Sequence, residues 1–158
     1  MHSHPSGVEH YELRVHTKIG ISAAAIGWMG LIFYLSSITV TGLEGRAEGF
    51  DAGGAVVAFW QGGFSGIAGH FVLFSVLTAL IIATLRSWGG GGIEVAVFAV
   101  AASSLFGISD EYHQSFVIGR YATVTDVLVD TIAATVTAAV IWARATSRSR
   151  QSGANRFF

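Results

Sequence analysis

Residues 19–40 read IGISAAAIGWMGLIFYLSSITV, 22 residues without a formal charge. At about 1.5 Å per residue, a helix of that length covers the roughly 30 Å of a hydrocarbon core. The run is too long for the apolar part of a secretory signal. Its small residues, Ser22 to Ala25, stand at its start, where no cleavage site would lie. The spacing predicts an uncleaved spanning helix, and the rest of the chain agrees. Hydrophobic residues make up 52% of the 158 and charged ones 12%, about half the charged share of soluble domains. Mean hydropathy is +0.58. A soluble fold this small has too much surface to cover with so few charges, so a bilayer is the better solvent. The net charge of −1 argues against nucleic acid as a partner, and the lack of cysteine excludes disulfides and thiol chemistry.

Three further apolar runs follow. Residues 66–85 are interrupted only by His70; residues 93–108 are the shortest run and carry Glu94 near their start; residues 124–143 hold Asp126 and Asp130 in their first half. The expectation is an all-α, polytopic membrane protein, a bundle of four transmembrane helices. Residues 1–18 would form a cytoplasmic tail, 19–143 the membrane domain and 144–158 a basic cytoplasmic tail. Lysines and arginines fix the orientation. Arg14, Lys18, Arg86, Arg144, Arg148, Arg150 and Arg156 fall on one side, and Arg46 and Arg120 on the other. Both termini are therefore expected in the cytoplasm, with the protein in the cell membrane. Residues 41–65 read as a glycine-rich external loop whose Phe59, Trp60 and Phe64 suit an interfacial aromatic belt. The glycines of GGGG, residues 89–92, lack the Lys-Ser/Thr of a phosphate loop and read as a flexible turn. His2, His4, His10 and His16 are irregularly spaced and read as tail residues rather than a metal site.

This topology draws the polar groups to one membrane depth on the external side. Ser36 and Ser37 end the first span, His70 opens the second, Asp110, Glu111, His113 and Gln114 lie at the outward end of the third, Arg120 stands in the connecting loop, and Asp126 and Asp130 lie one and two turns into the fourth. Ionisable residues at that depth are costly and are by default candidates for function. Asp126 and Asp130 are four apart and share a helix face. Arg120 admits two readings: an ion pair with Asp126 that closes the outer loop, or a bidentate grip on an anionic ligand. His70 is either a packing hydrogen bond or a site residue, and Asp110 and Glu111 are either headgroup-level charges or site residues. His113 and Gln114 read as loop residues, and Ser36, Ser37, Ser103 and Ser104 as small packing residues. No nucleophile motif and no metal-ligand spacing is present, so the sequence calls for no cofactor and no metal.

The segments FYLSS (residues 33–37), GHFVLFSVL (69–77) and DEYHQSFVIGRYATVTDVLVD (110–130) resemble the VanZ-like family of small multi-pass membrane proteins. The resemblance covers residues 33–134. It implies that His70, Asp110, Glu111, Gln114, Phe116, Gly119, Arg120 and Asp126 stand at family positions. The chain departs at Ile67, Phe74, Ile118, Asp130 and Ala133, where the family shows lysine, tyrosine, proline, asparagine and glycine. Asp130→Asn is accordingly expected to be tolerated, since it restores a neutral amide and removes one of two like charges. The family's namesake implies a link to antibiotic resistance, specifically to low-level resistance to teicoplanin.

The leading expectation is an external polar pocket formed by His70, Asp110, Glu111, Gln114, Arg120, Asp126 and Asp130. It would bind or process an amphiphile of the cell envelope: a lipid, a lipid-linked wall precursor or a lipoglycopeptide. A membrane-embedded hydrolase or transferase using histidine and carboxylates stands beside it, as do an accessory bundle without catalysis and a proton-coupled transporter. The sequence leaves open whether the chain is an enzyme.

Overall fold

In the computed structural model, which describes residues 7–38, 63–118, 120 and 122–154, four helices follow one another: α1 (Gly7–Ser37), α2 (Gly63–Ser87), α3 (Gly92–Gln114) and α4 (Val124–Ala154). No strand occurs among the described residues. Each helix contains a segment long and apolar enough to cross a bilayer: Tyr11–Ser37, Gly66–Ser87, Gly92–Gln114 and Val124–Ser149. The protein is an all-α, multi-pass membrane protein. Large apolar side chains in mid-span, among them Ile26, Val97, Leu105 and Leu128, are more than half exposed. Water would penalise that surface, whereas lipid tails satisfy it.

The helices run beyond the apolar stretches that mark them in the sequence. α1 starts well before residue 19, so His16 and Lys18 lie on a helix rather than in a loose tail, and α4 continues past residue 143 through Arg144 and Arg148. α2 takes in residues 63–65 of the expected loop. The remainder of that loop, with Phe59 and Trp60, lies outside the described residues, as do His2, His4, Gly119 and Arg156. The largest change is in α3, which passes residue 108 and ends at Gln114. Hydropathy stops at Ile108, but the helix continues because its last polar side chains find partners on the neighbouring helices.

Packing centres on α4, which lies against both α2 and α3, while α1 packs mainly on α2. Ala133, Ala134 and Ala138 are buried on α4, and such small residues let helix backbones approach closely where no hydrophobic force separates protein from lipid. Ile32, Phe74, Leu77 and Ala133 form one core cluster; Ile82, Val95, Ala99 and Ala138 form a second. Polar bonds tie the helices across these clusters. Trp28 Nε1 donates to the Leu73 carbonyl at 2.9 Å, and the Thr78 and Ser103 hydroxyls are 2.8 Å apart.

The α2–α3 connection is ordered rather than a loose glycine tether. Gly90 N donates to the Leu85 carbonyl at 2.9 Å and Gly89 N to that of Arg86 at 3.1 Å, the paired bonds of a Schellman ending. Gly89 has φ of +100°, a conformation that glycine adopts at no steric cost. Beside it, Lys18 Nζ lies 5.3 Å from the Trp88 ring centre, and Trp88 Nε1 donates to Ser22 Oγ at 3.2 Å.

Candidate functional site

The opposite end of the bundle gathers the polar groups, and the last turn of α3 is its hub. Asp110, Glu111 and Gln114 are all buried. Gln114 Nε2 donates to Asp110 Oδ2 at 2.9 Å and to Glu111 Oε1 at 3.2 Å, while its Oε1 accepts from Arg120 Nε at 3.2 Å and Nη2 at 2.8 Å. An amide is the one side chain that can face carboxylates with its nitrogen and a guanidinium with its oxygen. Gln114 is therefore a structural mediator on a helix, not a loop residue. His113 is also helical; its ring lies 4.8 Å from that of Phe33 on α1. Ser36 closes the network by donating to Asp110 Oδ1 at 2.7 Å, a role beyond the small packing residue expected of it.

The chain after α3 folds back through successive tight turns, with Val117 N donating to the Gln114 carbonyl at 2.9 Å and Arg120 N to that of Val117 at 3.1 Å. This return delivers Arg120 to Gln114. α4 then begins with a reciprocal cap. Asp126 N donates to Thr123 Oγ1 at 3.1 Å, and Thr123 Oγ1 donates to Asp126 Oδ2 at 2.8 Å. The Thr123 backbone N–H, outside the cap, donates to Glu111 Oε2 at 2.7 Å and docks the start of α4 on α3. Sequence reasoning missed Thr123, although the spacing T-x-x-D before an apolar run is a recognisable capping signal.

One turn deeper lies the His70–Asp130 pair, with His70 Nδ1 3.0 Å from Asp130 Oδ1. Asp130 is fully buried, and its Oδ2 has no hydrogen-bond partner among the described residues. Gly107 explains how the carboxylate fits there. A Cβ on Gly107 would stand 2.9 Å from Asp130 Oδ2 and 3.3 Å from Phe74, so only hydrogen leaves room. Asp126 and Asp130 share a face of α4, as their spacing predicts, but they have different partners: the helix cap for one, an imidazole for the other.

Arg120 provides the clearest choice between the two readings of the sequence. Among the described residues, no carboxylate lies within 4.0 Å of its guanidinium, so the loop-closing pair with Asp126 does not form. Arg120 instead lines a cleft with Ser36, Leu73, His70 and Gln114. The cavity holds about 30 Å³, room for a few polar atoms but not for an entire amphiphile. On the α4 side of His70, one ligand atom each of His70, Glu111 and Asp126 falls within 4.8 Å of the others. Their separation along the chain hides this grouping from any spacing motif. All seven candidate residues thus sit in two adjoining networks, one around Gln114 and one around His70.

A family model, VanZ/LLP1, matches residues 21–145, most of the chain. The protein belongs to the VanZ/LLP1 family. The match takes in α2 and α3 whole, most of α4, the second half of α1 and every residue of both networks, so the family relationship first suggested by three short segments extends well beyond them. No curated protein matched the chain. No solved structure matched it either.

Proposed function

We propose that this VanZ-type membrane protein binds the anionic headgroup of an amphiphile at one membrane face, with Arg120 as the anchoring cation. The supporting observation is the guanidinium itself, half-buried at the cleft and held by Gln114 Oε1 without a carboxylate partner among the described residues. A guanidinium has five N–H donors, and the bonds to Gln114 leave most of them for a phosphate or carboxylate. Ser36 and His70 stand beside it, while Ile32, Leu35 and Leu73 present apolar surface where a tail enters the bilayer. The lysine and arginine asymmetry supports cytoplasmic termini and hence a site on the outer face of the cell membrane. Outer-leaflet lipids, lipid-linked wall precursors and lipoglycopeptides such as teicoplanin all present an anionic group on an apolar body. A resistance role would follow if the last of these were captured.

The test compares thermal unfolding of the wild type and Arg120→Lys in bilayers of phosphatidylglycerol and of phosphatidylcholine. Wild type should be more stable in the anionic lipid, and titrated teicoplanin should stabilise it in the zwitterionic one if the lipoglycopeptide is the ligand. Arg120→Lys should fold but bind at least about tenfold more weakly, since a charge-assisted hydrogen bond contributes about 1.5–3 kcal/mol. An unchanged response in Arg120→Lys would refute the anchoring role. The His70–Asp130 pair favours a second reading, acid–base chemistry on the bound headgroup, because a buried carboxylate fixes the imidazole. Mass spectrometry of lipids incubated with wild type and His70→Gln separates binding from turnover.

A further inference from the structure

We infer that His70, Glu111 and Asp126 form a binding site for one divalent cation of the zinc or manganese class. The site uses none of the Arg120 contacts and does not depend on the headgroup reading. Its ligands come from three helices: an imidazole from α2, a carboxylate from the end of α3 and a carboxylate from the start of α4. Their donor atoms fall within 4.8 Å of one another. Ligands about 2.1 Å from a tetrahedral ion are about 3.4 Å apart, so small side-chain rotations complete the site. One nitrogen and two oxygens suit zinc or manganese better than an ion that takes oxygen alone.

Asp130 supplies an observation of a different kind. It is wholly buried, its Oδ1 takes His70 Nδ1, and its Oδ2 has no hydrogen-bond partner among the described residues. A buried carboxylate with one oxygen unsatisfied is costly if all it does is pack. Held against Nδ1–H, it fixes the tautomer that directs the lone pair of Nε2 away from Asp130, the carboxylate–histidine–metal arrangement by which buried acids orient metal ligands. The local charge agrees. Asp110, Glu111, Asp126 and Asp130 occupy two turns of depth, Arg120 touches none of them, and His70 touches only Asp130. A divalent ion among Glu111, Asp126 and His70 compensates carboxylates that no described side-chain cation meets. Asp130 is then an orienting residue, and Glu111 and Asp126 are ligands.

The experiment uses the full chain in detergent micelles, stripped of metal with chelator and titrated with Mn²⁺ alone, with the loss of the free-ion paramagnetic resonance signal as the readout. Mn²⁺ is chosen because the N-terminal histidines would compete more strongly for Zn²⁺. One Mn²⁺ per chain is expected, displaced by Zn²⁺. Affinity should fall at least about tenfold in Asp126→Asn and Glu111→Gln, and about 10–100-fold in Asp130→Asn, which touches no metal. In the wild type labelled with ¹⁵N-histidine, Mn²⁺ should broaden the His70 ring signals at the lowest concentrations, a readout that stands even if a variant fails to fold. Lack of saturable binding, affinity unchanged in all three variants, or broadening confined to His2, His4, His10 and His16 would each overturn the site.

Discussion

At the α2–α3 turn the bundle is closed by backbone: two Schellman hydrogen bonds, a left-handed glycine and a tryptophan against Lys18. At the opposite end it is closed by side chains, with Gln114 joining Asp110, Glu111 and Arg120, Thr123 capping α4, and His70 holding Asp130. The first closure is bonded through its backbone, its unpartnered buried side-chain atom among the described residues is a neutral hydroxyl, Thr84 Oγ1, and it offers little to a ligand. The second leaves an arginine without a carboxylate partner and an aspartate oxygen without a donor among the described residues. Polar groups buried for packing alone are usually satisfied completely. The asymmetry is one of charge, and it is why the proposed function is assigned to the Gln114 end.

The largest effect is expected from Gln114→Leu, which removes both faces of the mediating amide and leaves Asp110 and Glu111 buried without it. Removing one partner from a buried charged network costs about 3–5 kcal/mol, and denaturant unfolding in micelles should read a loss of that size together with loss of headgroup binding. Next is Gly107→Ala. The added methyl meets Asp130 Oδ2 and Phe74 and pushes α3 from α4, so an overpacking cost of about 1–3 kcal/mol is expected. At the other end, Gly89→Ala should cost about 1–2 kcal/mol through its positive φ while leaving headgroup and Mn²⁺ affinities unchanged. If Gly89→Ala weakened binding as much as Gly107→Ala, the two ends would not be functionally distinct. The smallest effect belongs to Leu105→Ala, whose side chain is 66% exposed toward lipid; it should change stability by no more than about 0.5 kcal/mol.

The helices and their order are legible in the sequence because hydrophobic length is a direct consequence of bilayer thickness. Their ends are not, and α3 shows why. Its last turn is polar, and its helicity depends on Ser36, Thr123 and Arg120, partners supplied from elsewhere in the fold. The site is legible as a set of residues at one depth but not as a set of partners. A four-residue spacing places Asp126 and Asp130 on one face, yet it cannot reveal that a histidine on α2 takes one and a threonine cap the other. Arg120 is the same case: charge alone left a pair with Asp126 and a grip on a ligand both open, whereas the turns after Gln114 set the guanidinium against an amide oxygen. The tolerance expected of Asp130→Asn retains a physical basis, since the amide oxygen can still accept from His70 Nδ1. Its wider consequence shifts from stability to the cation proposed at His70.

The short Schellman turn has a mechanical corollary. Between the last residue of α2 and the first of α3 lie only Trp88 to Gly91, and three of those residues, Trp88, Gly89 and Gly90, are already fixed by bonds to α2. This leaves little slack for α3 to slide along α2 by a helical turn of about 5.4 Å. A change in the width of the Arg120 cleft would therefore fall to α1, its other wall. Near the mouth of the cleft α1 is tied by Ser36 to Asp110, and deeper down by Trp28 to Leu73. With the tryptophan bond as pivot and the serine bond as distal tether, a headgroup bound as proposed would enter by a tilt of α1 rather than by its translation.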